Sequence, residues 1–191
     1  MDHAEATSRL LDAADALFYD RGIQAVGMDE IRAASGVSLK RLYRCFPSKE
    51  RLVVAYLRRR DLRWREDLAG FVEQCGRPDE RVLAVFDWLY EWFSRPGFRG
   101  CAFLNSFGEL GATAPAVAEA ARDHKHLLQR YLTGLARDTG TPDPAALAAQ
   151  LLVLIDGAIS VAAVTADPTA AHHARTAAKA LLSGREWLAG L

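Results

Sequence analysis

Apolar side chains return every three or four positions through most of the chain, and each stretch of that rhythm ends at a Gly, a Pro or a capping residue. Leu10, Leu11, Ala14, Leu17 and Phe18 predict a first helix from about His3 to Arg21, stopped by Gly22. Ile31 and Ala34 predict the inward face of a short second helix, Met28 to Ser35, ended by Gly36. Ser38 reads as the N-cap of a third, running to Arg44 or Cys45. Pro47 cannot extend it, because it has no N–H and restricts Phe46. Ser48 caps a long fourth helix, Lys49 to about Gln74, and Gly76-Arg77-Pro78 breaks the chain before a fifth that ends near Ser94. After the loop Arg95 to Gly100 come Cys101 to Leu110, Pro115 to about Asp138, Pro144 to Thr165, and a ninth helix opened by Asp167-Pro168 and reaching about Leu188. No alternating run is long enough to require a strand, and the abundance of Ala and Leu favours helix, so the expected fold is all-α with about nine helices.

Two of these helices belong together. Met28 to Ser35 and Leu39 to Cys45 are joined by Gly36-Val37-Ser38, a three-residue connection with Gly at the end of the first helix, which is the signature of a helix-turn-helix. Val37 reads as the buried pivot, and Leu42 and Phe46, four apart, as the anchors of the second helix. Leu39, Lys40, Arg41, Tyr43 and Arg44 are left on the outer side and early turns, where such a helix enters a major groove. Tyr43, Lys49 and the backbone N–H groups opening the fourth helix suit phosphate oxygens.

Charge strengthens this reading. The 191-residue chain has 24 basic and 24 acidic residues and no net charge. From Arg32 to Arg65, however, eleven Lys or Arg face only Glu50 and Asp61, giving 11 − 2 = +9. A local excess of that size on a neutral chain implies a polyanion site, the alternative being a solvated helix face.

The same residues resemble the TetR family of transcriptional regulators. Those that carry the resemblance are Phe18, Gly22, Met28-Asp29-Glu30-Ile31, Ala34, Gly36-Val37-Ser38, Leu42-Tyr43 and Phe46-Pro47-Ser48-Lys49-Glu50-Arg51-Leu52, about the first third of the chain. The resemblance implies a homodimeric regulator of double-stranded operator DNA, usually a repressor released by a small molecule. It implies DNA contacts from Ser38, Leu39, Lys40, Arg41, Tyr43, Arg44 and Lys49, a DNA-binding domain over 1–48 and a ligand-binding and dimerisation domain over 49–191. The chain departs from the common family pattern at Gly27, Arg32, Lys40-Arg41 and Cys45.

The rest of the chain is read from its apolar faces. The eighth helix is apolar on nearly every side, which asks for burial all round. Leu152, Ile155, Ile159 and Ala162 form one stripe on it; Ala174, Ala178, Leu181 and Leu188 form another on the ninth. Two helices from each of two subunits would bury both stripes in a four-helix homodimer interface, with packing inside one chain as the alternative. Trp88, Trp92, Phe93, Phe98, Phe103 and Phe107 cluster in sequence with Asn105 and Glu109, the composition of an apolar or aromatic effector pocket or of ordinary core. Cys101, at a helix start beside Arg99, is a candidate electrophile- or oxidant-sensing thiol or a buried structural cysteine.

Other classes fit less well. Cys45, Cys75 and Cys101 form neither a disulfide framework nor a zinc motif. No signal-peptide pattern opens the chain, and Gln150 and Asp156 argue against a membrane span at Ala145 to Ala166, so a cytoplasmic protein without membrane association is expected. His124 with His126, and His172 with His173, are wrongly spaced for metal pairs. No cofactor or metal is called for, and no catalytic constellation supports the competing reading of a helical enzyme acting on a phosphorylated substrate.

Overall fold

Capping chemistry decides where the chain turns. In the computed structural model, which describes residues 2–184, the Asp2 carboxylate accepts the Glu5 N–H at 2.8 Å and opens α1 (His3–Arg21). Gly22, at φ 87°, closes it. α2 (Met28–Ser35) ends at Gly36 in the left-handed region, φ 64°. Then follow α3 (Leu39–Cys45), α4 (Lys49–Val72), α5 (Pro78–Phe93), α6 (Ala102–Leu110), α7 (Pro115–Asp138), α8 (Pro144–Thr165) and α9 (Ala170–Ser183), nine helices and no strand among the described residues. The Ser48 hydroxyl accepts the Arg51 N–H at 3.2 Å, as expected of a cap, whereas Ser38 occupies the cap position of α3 without a side-chain cap bond. The expected end of the last helix, near Leu188, lies outside the described residues.

The described chain divides into two units. The first comprises the residues up to Arg63 together with Cys101–His124. Its centre is built from Leu10, Ile31, Val37, Leu42 and Leu52, all buried. Ser35, not Ala34, is the second inward position of α2: Ala34 is exposed, while the buried Ser35 hydroxyl donates to the Arg32 carbonyl and accepts the Val37 N–H. α1 and α4 are riveted by charge. Arg59 pairs with Asp12 at 2.8 Å and Arg60 with Asp15 at 2.6 Å, and the Arg60 guanidinium lies 3.8 Å above the Tyr19 ring. The basic window of the sequence is therefore not a +9 surface, because acids of α1 that precede it neutralise two of its arginines. Deeper in, His124 Nδ1 lies 2.7 Å from Asp61 Oδ1, and the His124 ring stacks on Phe103 at 3.7 Å. Sequence spacing along α7 alone gave no hint of this pair.

The second unit comprises Trp64–Gly100 and the residues from Lys125 onward. Here α8 and α9 pack on each other and on α5. Ion pairs join α5 to α9 (Asp87 with Arg175, 2.8 Å) and α7 to α8 (Asp156 with Lys125), and Tyr90 stacks on His172. α8 is long and apolar enough to cross a membrane by composition alone, and only part of it is buried in the chain. The buried part is the stripe expected to face a partner: Ile155, Ile159, Ala162 and Ala178 are almost wholly covered within one chain, with Leu152 and Leu181 half-buried. The outward stripe is instead Val153 (72% exposed), Val161 (52%) and Val164 (86%). A helix apolar on all sides does not declare which side turns inward; the packing on α5 and α9 does.

Candidate nucleic-acid interface

The DNA-reading candidates rest on a short helix held from behind. Val37 fills the pivot between α2 and α3, and Leu42 and Phe46 hold α3 down. That leaves Leu39 and Tyr43, each 47% exposed, and Lys40 and Arg44, also exposed, as two i,i+4 pairs side by side. Two cations, a phenol and one aliphatic side chain thus share one free face. Ser38 is exposed at its leading edge and Arg41 is half-buried beside it. Cys45, at the trailing end, sits with its Sγ 3.6 Å from His3 Nδ1.

Lys49 differs from the other candidates. It is half-buried at the start of α4, with its ammonium 6.0 Å from the Phe18 ring centre. Burial lowers its pKa, and the carboxylates of Glu109 and Glu30 work against that fall. Glu30 is held below the usual carboxylate range by the Gly27 N–H it accepts at 3.1 Å and by Arg21 at 2.6 Å. Its bond to Gly27 is half of a capping box, since glycine has no side chain to return the bond. Lys49 thus lies within electrostatic reach of two of the protein's own carboxylates, whereas Lys40 and Arg44 project from the exposed face.

The turn before α2 is tied down from far along the sequence. Ile23 N–H donates to Glu109 Oε1 at 3.0 Å, Gln24 N–H donates to Oε2 at 2.7 Å, and the Gln24 side-chain amide donates to the Glu109 carbonyl at 2.6 Å. Glu109, anticipated as a polar group of an effector pocket, has both carboxylate oxygens engaged by backbone amides. A bond to a backbone N–H leaves no signature in the sequence of the donor, so this contact was not legible beforehand.

Residues 10–56 match the model of the family described as bacterial regulatory proteins, tetR family, and residues 78–178 match that of the tetracyclin repressor-like C-terminal domain. The chain belongs to the TetR family. A TetR-family transcriptional regulator from Streptomyces coelicolor has the same architecture, with a TM-score of 0.87 and 32% identity over 95% of this chain and 96% of that one. An uncharacterized HTH-type transcriptional regulator of Mycobacterium tuberculosis H37Rv is 32% identical over 83% of this chain and 89% of its own. The HTH-type transcriptional activator FasR of Mycolicibacterium smegmatis is 49% identical over 62% of this chain and 56% of its own. This TetR-family chain is accordingly a DNA-binding transcriptional regulator and not an enzyme.

The aromatic residues separate into two groups in this regulator. Trp88 and Trp92 lie in the second unit, stacked 5.6 Å apart, with Trp64 edge-on to both and Phe93 and Phe98 against Trp92. Phe103, Asn105, Phe107 and Glu109 belong to the first unit. There Phe103 is buried on His124, while Asn105 and Phe107 are exposed. Cys101 is buried at the start of α6, and none of the three cysteines is in a disulfide. No group of three or more His, Cys, Asp or Glu among the described residues is arranged to hold a metal ion.

Proposed function

We propose that the protein binds a palindromic operator as a homodimer and represses transcription there until a small apolar or aromatic effector releases it. The observation that carries this reading is the exposed face of Leu39, Lys40, Tyr43 and Arg44 on a helix whose opposite face is buried. In this reading residues 1–48 contact DNA and residues 49–191 carry dimerisation and effector binding. Lys40 and Arg41 address base edges, with the bidentate arginine fork suited to guanine O6 and N7. Ser38, Leu39, Tyr43, Arg44 and Lys49 set the register against sugar and phosphate. The protein works in the cytoplasm, where DNA and metabolites are both at hand.

The homodimer uses the outward stripe of α8. Val153, Leu154, Gly157 and Val161 border a groove shared with Ala174 and Ala177 of α9, and its lining is almost wholly apolar. An exposed apolar stripe of this extent marks an association surface. Effector binding is assigned to the buried cluster of Trp88 and Trp92 with Trp64, whose packed rings an apolar compound would have to part.

A gel-shift titration with duplexes tiling the DNA that flanks the encoding gene tests the central reading. One symmetric site should shift at concentrations where random duplex does not, with two chains bound per site by sedimentation. Uniform binding to every duplex, or none to any, would overturn it. A reporter fused to the shifted site reads the sign, since FasR is named as an activator.

A further inference from the structure

We infer that Glu109 is a positioning residue for DNA recognition: its carboxylate fixes the turn that launches the helix-turn-helix. The inference rests on the operator reading above. Residues 22–27 form the connection from α1 to α2, and α2 in turn seats α3 through Val37. Within this connection Ile23 and Val26 are buried; the N–H groups of Ile23 and Gln24 belong to no helix, and that of the buried Ile23 needs an acceptor from elsewhere. Glu109, in the last turn of α6, supplies one oxygen to each. The Gln24 side chain closes the loop by donating to the Glu109 carbonyl, one of the acceptors a helix end leaves without an intrahelical partner. Three hydrogen bonds thus join segments 85 and 86 residues apart.

Two further features fit the same grip. Gly22 sits at φ 87°, and a Cβ built there would lie 3.2 Å from Glu109 Oε1, so glycine serves both the backbone conformation and the close approach of the carboxylate. The charge of Glu109 is also felt at Lys49, which opens α4 directly behind α3. One side chain therefore ties α6 to the entry of α2 and lies within electrostatic reach of the start of α4. All of these residues belong to the first unit, which holds α6 together with the helix-turn-helix.

The chemistry is selective. Two converging N–H donors are matched by a carboxylate, which has two acceptor oxygens. Glutamine has one oxygen and presents an NH2 to the second donor, so it replaces half of the grip. Glu109 itself carries the wrong charge to attract DNA. Its loss should leave the sequence-independent pull of Lys40 and Arg44 intact and blur the placement of α3 against base edges.

The test uses the full-length chain, wild type and Glu109→Gln, Glu109→Ala and Gln24→Ala. Amide hydrogen exchange is followed at Ile23 and Gln24, and affinity is measured for the site found in the gel-shift tiling and for random duplex at one salt concentration. Glu109→Ala should speed exchange at both amides by about 10-fold or more, and Glu109→Gln should do so at one of them. Affinity for the site should fall about 10-fold in both variants, while random-duplex affinity stays within about 3-fold or tightens. Gln24→Ala, which removes the third bond and leaves both carboxylate bonds, should keep both amides protected and lower site affinity less than Glu109→Gln does. Full protection with wild-type site affinity in Glu109→Gln would overturn the inference, as would an equal loss on both duplexes. Should Glu109→Ala fail to fold, Glu109→Gln and Gln24→Ala decide the question. A wild-type protein with no preferred site would defeat the operator reading instead; the exchange rates at Ile23 and Gln24 then still judge the grip.

Discussion

Arg44 lies on α3, the helix proposed to read DNA, and Lys49 opens α4 behind it, and their surroundings differ. Lys49 is half-buried among Phe18, Glu30 and Glu109, while Arg44 is exposed on the free face of α3. Counterion release follows the phosphates a protein neutralises. Arg44→Ala should therefore reduce the slope of log affinity against log salt by about 0.9 if its guanidinium serves one phosphate, and Lys49→Ala by clearly less. Titrations at four or five salt concentrations give both slopes, and an equal drop would mean that Lys49 leaves its acids when DNA binds. Glu30 supplies a second residue-level test. Its folded pKa lies below the ordinary carboxylate range, mainly through the Gly27 N–H and then Arg21. A depressed carboxylate stabilises the fold fully above its unfolded pKa and loses that contribution as pH falls through the folded value. The melting-temperature gap between wild type and Glu30→Gln should stay constant above about pH 5 and close below 4.5. A gap that persists at pH 3 would assign Glu30 a role other than its charge. Contacts of this kind divide sharply in legibility. The apolar anchors Val37, Leu42 and Phe46 were readable because their spacing repeats, whereas Glu109, Asp61 and His124 meet partners brought together only by the fold.

At the scale of elements, helix limits were largely legible and helix faces were not. Gly22, Gly36, Pro47, Pro78, Pro115 and Pro144 punctuate the chain by local chemistry, and the helices start or stop beside them. The inward side of a helix is set by its neighbours. On α8 almost every position is apolar, so no polar stripe marked the outer surface, and the stripe chosen from sequence is covered inside one chain. Paired substitutions separate the two surfaces. Ile159→Asp places an unpaired carboxylate in the interior of the chain and should cost about 3–5 kcal/mol, a large share of a typical domain's stability. Val161→Asp, two positions on and exposed in the single chain, should leave each chain folded and break the proposed dimer. Circular dichroism melting and sedimentation read the two effects separately. A Val161→Asp chain that remains dimeric would move the interface off this groove. The basic window carries the same lesson in charges: Arg59 and Arg60 look available in sequence, but α1 supplies Asp12 and Asp15 to them.

For the molecule as a whole, zero net charge means that DNA is drawn by a local field and not by an overall one. Under the proposed reading, effector and operator compete through a shared equilibrium between DNA-competent and DNA-incompetent states. Coupling of this kind is reciprocal: a compound that weakens operator binding by some factor is itself bound more weakly, by the same factor, when operator is present. The chain offers an internal reporter, because three of its four tryptophans, Trp64, Trp88 and Trp92, stand in one cluster. A panel of apolar and aromatic metabolites titrated by tryptophan fluorescence should yield compounds that weaken operator binding about 10-fold, a coupling of about 1.4 kcal/mol. Repeating the titration on the operator complex should then raise their dissociation constants about 10-fold. Trp92→Leu, which removes one aromatic face of the cluster, should weaken the compounds and spare operator affinity in their absence. A compound with equal affinity for both states shifts nothing however tightly it binds. If every compound that changes the fluorescence leaves operator affinity unaltered, the tryptophan cluster is core and not an effector site, and release from DNA must be sought through another part of the chain.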